Sequence, residues 1–268
     1  MNRFLPVIIL VFTLQAHSQS APEENATPFA PLAGTFALKV VTTGKIDLPL
    51  IGEKTPQGHI LFLLTRQWNA QKGHYTRTTR MCDGTSGSLF GITTEVSPKG
   101  YQGIPPSNSI LKVDEKHETL TINNEVFLWG MKNLPKPLTA KLPQSLQEAQ
   151  SDQFKHIVYD VDKDGHPGIT LKAKGFLEGE LRAVQRRVTQ FKGKALSPNH
   201  QAGRVNVVRE SVILESTTSL VGEGPRSPAQ HPDPKRSWFE AIRIQDQSTC
   251  KVVLNLHREG AFKEKAPL

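Results

Sequence analysis

Three aspartates at alternate positions are the residues of this chain whose spacing points most directly to chemistry. Asp160, Asp162 and Asp164 are followed at once by Gly165. Alternate positions in a tight loop can direct three carboxylates at one centre, and glycine permits the sharp bend after the third. Hard cations such as Ca²⁺ prefer oxygen ligands of this kind. The spacing therefore predicts a cation-binding loop, while a plain turn rich in Asp, Gly and Pro is the alternative interpretation.

The acidic segment resembles the D-x-D-x-D-G loops of EF-hands, dockerins and integrin-type propeller repeats. The resemblance covers about a dozen residues of the 268 in the chain, so it concerns one loop and not a whole family. It implies that Asp160, Asp162 and Asp164 are side-chain ligands of Ca²⁺. It also implies that His166 offers its backbone carbonyl as a further metal ligand.

The sequence departs from these loop families at two positions. An EF-hand loop ends in a bidentate glutamate at its twelfth position, where this chain has Leu171. Propeller loops carry an acid at the ninth position, where this chain has Gly168. A bound Ca²⁺ ion would therefore need water molecules or a distant carboxylate to complete its shell.

Strands are predicted on both sides of the acidic loop. His156–Tyr159 precedes it, and Ile169–Ala173 follows it with apolar residues that alternate with Thr170 and lysines. This alternation is the period of a half-buried strand. It argues against the helix–loop–helix arrangement of an EF-hand.

Residues 177–192 fit two patterns. Helical spacing of apolar residues indicates an amphipathic helix, and these residues are Leu177, Leu181, Val184, Val188 and Phe191. Several glycines and the alternating segment Gly203–Leu214 favour a strand pair instead. In that pair, Arg182, Arg186 and Arg187 are expected to form an exposed basic stripe on the sheet.

The rest of the chain predicts a mainly β fold, an antiparallel barrel or sandwich of about ten strands with at most one or two short helices. A turn is expected at Asp83-Gly84, and a last hairpin is expected from Trp238–Ile244 and Lys251–His257. Residues 222–235 contain four prolines and are expected to form a mobile loop.

Residues 133–155 interrupt the β pattern with three prolines. The spacing Ser145-x-x-Glu148 is a capping box and predicts a short helix that runs to about Gln150. This segment can be a linker between two β halves or a strap across a single β domain.

The start of the chain predicts export. Residues 1–20 combine Arg3, an apolar run and small residues in the pattern of a secretory signal. Residues 21–33 are expected to be a flexible leader, 34–258 a single β-rich domain with a possible internal boundary at 133–155, and 259–268 a loose tail. No later stretch is apolar enough to suggest a transmembrane segment. The expected location is therefore periplasmic or extracellular.

Two cysteines, Cys82 and Cys250, are expected to pair in an oxidising compartment. The pair would join an early part of the fold to its last elements. Two separate buried thiols are the alternative.

The net charge of the chain and the absence of a nucleic-acid-binding pattern limit the classes of function that the sequence supports. A net charge of +8 suits an anionic surface, but no interleaving of basic and aromatic residues indicates nucleic-acid binding. The sequence favours an exported, non-enzymatic binding or structural protein that could enclose a small apolar ligand. The alternative is a secreted hydrolase of an extracellular polymer, with carboxylates such as Asp160 or Glu180 in the chemistry.

Overall fold

The computed structural model describes residues 32–48, 52–114, 116, 118–175, 178–218 and 221–267. The predicted signal segment 1–20 and the leader as far as residue 31 lie outside the described residues. The described chain begins at Leu32, which is buried in the main core.

Thirteen antiparallel strands and three α-helices make up the described fold, so the prediction of a mainly β protein is confirmed. In chain order the strands are β1 (Gly34–Leu48), β2 (Gly52–Lys54), β3 (Gln57–Asn69), β4 (His74–Thr85), β5 (Thr93–Val96), β6 (Ser107–Asp114), β7 (Thr119–Trp129), β8 (Ile169–Lys174), β9 (Gly179–Ser197), β10 (His200–Ser216), β11 (Gly224–Arg226), β12 (Ala229–Gln230) and β13 (Trp238–Ile244). The helices are α1 (Pro98–Gly103), α2 (Leu146–Ala149) and α3 (Cys250–Arg258).

Eight of the strands form a closed ring. The hydrogen-bonded order is β10, β13, β1, β3, β4, β6, β7 and β9, and β9 pairs again with β10. Each ring strand therefore pairs with the next ring strand along the chain, and the last one returns to the first. The strand pair β9–β10 confirms the strand interpretation for residues 179–192, whereas Leu177 lies outside the described residues.

The interior of the ring holds the main core. Since side chains alternate between the two faces of a strand, every second residue of the ring strands points inward, as Phe36, Leu38 and Val40 do in β1. Aromatic rings meet across the interior, with Phe62 and Phe127 centroids 5.4 Å apart. Burial of these apolar side chains stabilises the ring by about 1.5–3 kcal/mol for each large one.

Residues 131–158 cross the outer face of β9 and β10. Met131, Leu142 and Phe154 pack there against Val184 and Val212 in a second apolar cluster. The segment is therefore a strap on the outside of the ring.

The predicted short helix of the strap is confirmed as α2. The Ser145 side chain accepts a hydrogen bond from the Glu148 backbone N–H, as a capping box requires. The return bond differs, because Glu148 Oε2 accepts from the backbone N–H of Gln144 at 2.9 Å.

The predicted last hairpin is wrong in its second half, because residues 250–258 form helix α3. The strand β13 already pairs with β1 on one side and with β10 on the other. No edge of β13 is left for a following strand, so the chain turns outward. Val253 of α3 packs on the outer face of β1 and β3 against Ala37 and Leu61.

Three smaller expectations also differ from the structure. Asp83 and Gly84 lie within β4 and pair with β3, where a register shift absorbs one residue. Residues 222–235 include β11 and β12, which pair with β10 and β1. Residues 259–268, expected to be loose, contribute the buried side chain of Phe262 to the cluster under α3.

Candidate functional site

The acidic loop is closed by backbone hydrogen bonds at its base. The Gly168 N–H donates to Tyr159 O at 3.0 Å, and the Val161 N–H donates to Gly168 O at 3.1 Å. The predicted strand before the loop is wrong, since residues 156–159 make only an isolated bridge between Val158 and Met131. The predicted strand after the loop is confirmed as β8.

The loop brings the three aspartates together. One carboxylate oxygen from each of Asp160, Asp162 and Asp164 lies within 4.8 Å of the other two, so the group could hold a metal ion. Gly165 adopts φ +92°, in the left-handed region that glycine favours. The sharp bend expected after the third aspartate is therefore present.

The carboxylates also organise the loop backbone. Asp160 accepts hydrogen bonds from the Asp164 N–H at 3.1 Å and the Gly165 N–H at 2.8 Å. Asp164 accepts from the His166 N–H at 3.0 Å and from the Thr170 hydroxyl. These hydrogen bonds can hold the turn without a bound ion. The observed geometry is therefore compatible with a plain turn and with a metal-binding loop.

Asp162 differs from its two neighbours because it is buried, with 6% of its surface exposed. Its Oδ2 accepts from the Thr170 N–H at 3.1 Å, whereas its buried Oδ1 has no hydrogen-bond partner among the described residues. Burial raises the pKa of Asp162, and the negative charges of Asp164 and Asp160 raise it further. Burial opposes ionisation of Asp164 too, but hydrogen bonds from Thr170 and His166 lower its pKa.

Packing explains why the loop departs from the calcium-loop families. A Cβ atom at Gly168 would lie 2.6 Å from Ala183 O in β9, and its φ is +100°, so an acid is excluded at the ninth position. Leu171 is turned toward the apolar core clusters. The imidazole of His166 lies near Arg182 and Glu215, and its carbonyl stays a predicted ligand.

The expected exposed basic stripe is wrong, because all three arginines are buried. Arg186 points to the outside of the ring, but the strap covers it and accepts its hydrogen bonds at Pro137 O and Ala140 O. Arg182 lies against Glu180 at 2.9 Å. Arg187 points into the ring, since successive residues of a strand face opposite sides.

A cavity of about 220 Å³ lies at one end of the ring, where β1, β4 and β7 end and β9 begins. We call it the end cavity. Its walls are mixed, with the apolar and aromatic residues Ile60, Val96, Tyr101, Trp129 and Leu171 and the polar residues Gln185, Arg187 and Arg209. Leu171 connects the cavity wall to the acidic loop, because β8 begins directly after that loop.

The two arginines of the end cavity are direct cross-strand neighbours in the β9–β10 register. Burial, and then the positive charge of Arg209, lowers the pKa of Arg187 to about 9. Burial also lowers the pKa of Arg209. The described residues that line the cavity include no Asp or Glu.

Sequence reasoning missed this cavity. The available signal was strand alternation, which places Gln185, Arg187 and Thr189 on the same face of β9 as the buried Phe191. An arginine on the apolar face of a strand marks an interior polar site, because unpaired charges are costly to bury.

The carboxylates considered for a hydrolase are not opposed to one another across the end cavity. Glu180 forms ion pairs with Arg182 at 2.9 Å and Lys172 at 3.5 Å, and Asp160 belongs to the acidic loop. The hydrolase alternative needs two opposed acids in a cleft, and it stays a prediction without a supporting observation.

Cys82 and Cys250 lie at disulfide distance, with Cα atoms 5.2 Å apart. The bond connects β4 to the first residue of α3. A disulfide in a β-rich chain is compatible with an exported protein. Among the described residues, no helix has the length and apolar character needed to cross a membrane.

Comparison with known proteins adds no family. Neither a protein-family model nor a curated protein sequence matches this chain. The geometry of the acidic loop and of the end cavity is therefore the basis for a function.

Proposed function

We propose that this chain is an exported, non-enzymatic binding protein of the bacterial envelope or secretome, which takes a small ligand in the end cavity. The observation that carries the proposal is the cavity itself, which lies at one end of a closed ring of eight strands. A ring of this size has room for side chains or for one small ligand. The volume of about 220 Å³ suits a small molecule or one end of a larger one.

We also propose that the acidic loop holds Ca²⁺ as a structural ion. Asp160, Asp162 and Asp164 supply carboxylate oxygens, and the unpartnered Oδ1 of Asp162 supports a ligand at this place. With few protein ligands, the dissociation constant should be about 10⁻⁴ to 10⁻³ M, as in extracellular calcium modules. The ion would fix the start of β8, which supplies Leu171 to the cavity wall.

Thermal unfolding tests the calcium proposal. An ion that binds only the folded state stabilises it by about 1.4 kcal/mol when free Ca²⁺ is tenfold above the dissociation constant. We expect several millimolar Ca²⁺ to raise the melting temperature, Mg²⁺ to do less, and Asp162→Asn to remove the shift. Asp152→Asn is the matched control, since Asp152 is exposed in the strap. If the unfolding curves with chelator and with Ca²⁺ superimpose, the acidic loop binds no stabilising ion and the calcium proposal is wrong.

Calorimetric titration with three six-carbon probes tests the binding proposal: 1-hexanol, hexylamine and hexanoate have similar shapes and different charges. We expect at least one to bind the mature protein, and Ala229→Trp to abolish that binding by filling the rim of the cavity. Ala229 is an exposed lining residue, so the ring should tolerate the change. The control is Ala195→Trp, at an exposed position of β9. Absence of binding by all three probes would refute the function.

A further inference from the structure

Two like charges face each other inside the end cavity. Arg187 of β9 and Arg209 of β10 are directly opposite in register, and both line the cavity. Like charges at directly opposite positions of a sheet destabilise it. The described lining residues offer no carboxylate that would relieve this repulsion, and neither side chain forms an ion pair with a described residue.

Glu125 is the interior acid whose charge acts on Arg187, and it is already hydrogen-bonded to other residues. Glu125 accepts hydrogen bonds from Arg77 at 3.2 Å, Thr79 at 2.6 Å and Ser109 at 3.2 Å. Its charge acts on Arg187 only as the smallest of three influences, after burial and Arg209. The arginine pair of the cavity therefore lacks a counterion within the described structure.

Two side chains that line the same cavity also carry hydrogen-bond donors without acceptors. Arg187 Nη2 and Trp129 Nε1 are buried atoms with no hydrogen-bond partner among the described residues. Arg187 is 2% exposed and Trp129 is 8% exposed, so solvent reaches neither side chain freely. A buried donor without a partner costs about 1–3 kcal/mol, and each of these side chains borders the one cavity.

The positive charge of the two arginines, the hydrogen-bond donors without partners and the apolar wall of the end cavity together indicate one class of ligand. We propose that the end cavity binds a small organic acid, whose carboxylate lies between Arg187 and Arg209 and whose apolar body lies against Ile60, Tyr101 and Leu171. This inference rests on the proposed binding function and adds the chemical class of the ligand. The planar fork of a guanidinium matches the two oxygens of a carboxylate.

The same three probes test two questions separately: whether the end cavity binds a ligand at all, and whether it prefers an acid. Since a hydrogen bond to a charged group contributes about 1.5–3 kcal/mol, we expect hexanoate to bind about tenfold or more tightly than 1-hexanol. Hexylamine should bind least, because its ammonium group meets the two arginines. Inorganic phosphate should bind more weakly than hexanoate, because it has no apolar body.

Substitution of Arg209, the less buried of the two arginines, tests the proposal at the level of a single residue. Arg209 is only partly buried, so Arg209→Gln should fold. It should lower the affinity for hexanoate toward that for 1-hexanol and leave the affinity for 1-hexanol unchanged, while Arg187 retains part of the preference for the acid. The control Arg80→Gln changes an exposed arginine of β4 away from the cavity and should bind hexanoate as the unaltered chain does. Circular dichroism spectra of all variants establish that they are folded.

The outcomes distinguish the two proposals. Equal affinities for hexanoate and 1-hexanol would overturn the organic-acid proposal and leave the binding function standing. Phosphate binding as tight as hexanoate binding, or full hexanoate affinity in Arg209→Gln, would also overturn it. If none of the probes binds, both proposals fail.

Discussion

The buried carboxylate of Glu125 should be one of the most sensitive points of the whole fold. Its two oxygens accept hydrogen bonds from Arg77, Thr79 and Ser109, and the Arg77 Nε atom lies 3.2 Å from Oε1. The side chains of Arg77 and Glu125 are 2% and 1% exposed. The change Glu125→Gln keeps the size of the side chain and removes its charge.

The cost of this change follows from the burial of the pair. Removal of one partner from a buried ion pair leaves the other charge uncompensated and costs about 3–5 kcal/mol. The amide oxygen of Gln can still accept from Thr79, so we expect a loss near the lower limit, about 3 kcal/mol. Since domains are stable by about 5–15 kcal/mol, such a loss is a large part of the total.

Urea unfolding at pH 7 measures the free energy of unfolding for each variant. The double variant Arg77→Met, Glu125→Leu should recover most of the loss, because apolar replacement of both partners is often neutral or stabilising. The control Glu210→Gln removes the exposed partner of Arg186 and should cost less than about 1 kcal/mol. A Glu125→Gln variant within about 1 kcal/mol of the unaltered chain would contradict the buried ion pair.

Two further predictions concern His59, which lines the end cavity, and the acidic loop. Burial, and then the charge of His257, lowers the pKa of His59 from 6.5 to about 4. The unfolded chain binds more protons between these values, so the free energy of unfolding should fall as pH falls from about 6.5 to about 4. Urea unfolding across this pH range should show a flatter slope in His59→Gln than in a variant of the exposed His156. At the loop, Gly168→Ala should cost about 1–3 kcal/mol more than Gly165→Ala in the same assay, because only at Gly168 would the new Cβ meet backbone within 4 Å. Equal losses would refute that packing argument.

The strands were predictable where a local pattern decides the structure. Alternation in Ile169–Ala173 and in Gly203–Leu214 predicted β8 and β10, since a half-buried strand has a period of two residues. The segment 251–257 is rich in valine and leucine and indicated a strand, yet it forms α3. Closure of the ring around β13 decided that outcome, and ring closure cannot be read from a local window.

The two candidate sites also differ in how far a local sequence pattern predicts them. The aspartates of the acidic loop lie four residues apart or less, so their spacing alone predicted that Asp160, Asp162 and Asp164 meet. The arginine pair of the end cavity depends on the register of two long strands. Arg187 and Arg209 become neighbours only through that register, and the charge pattern of the sequence indicated a solvated surface instead.

The closed ring also has a consequence for how the chain folds. The first ring strand is completed by the last, and Thr35 Oγ1 donates to Asp246 Oδ1 at 2.9 Å across 211 residues of sequence. During synthesis, β1 emerges long before β13, so the growing sheet keeps an unpaired edge until the final strand arrives. Contacts this distant in sequence slow folding, because the loop must close before they form. The period before β13 pairs is therefore the one in which the nascent chain is most exposed to pairing with other chains, and a chaperone that covers β1 would act in that period.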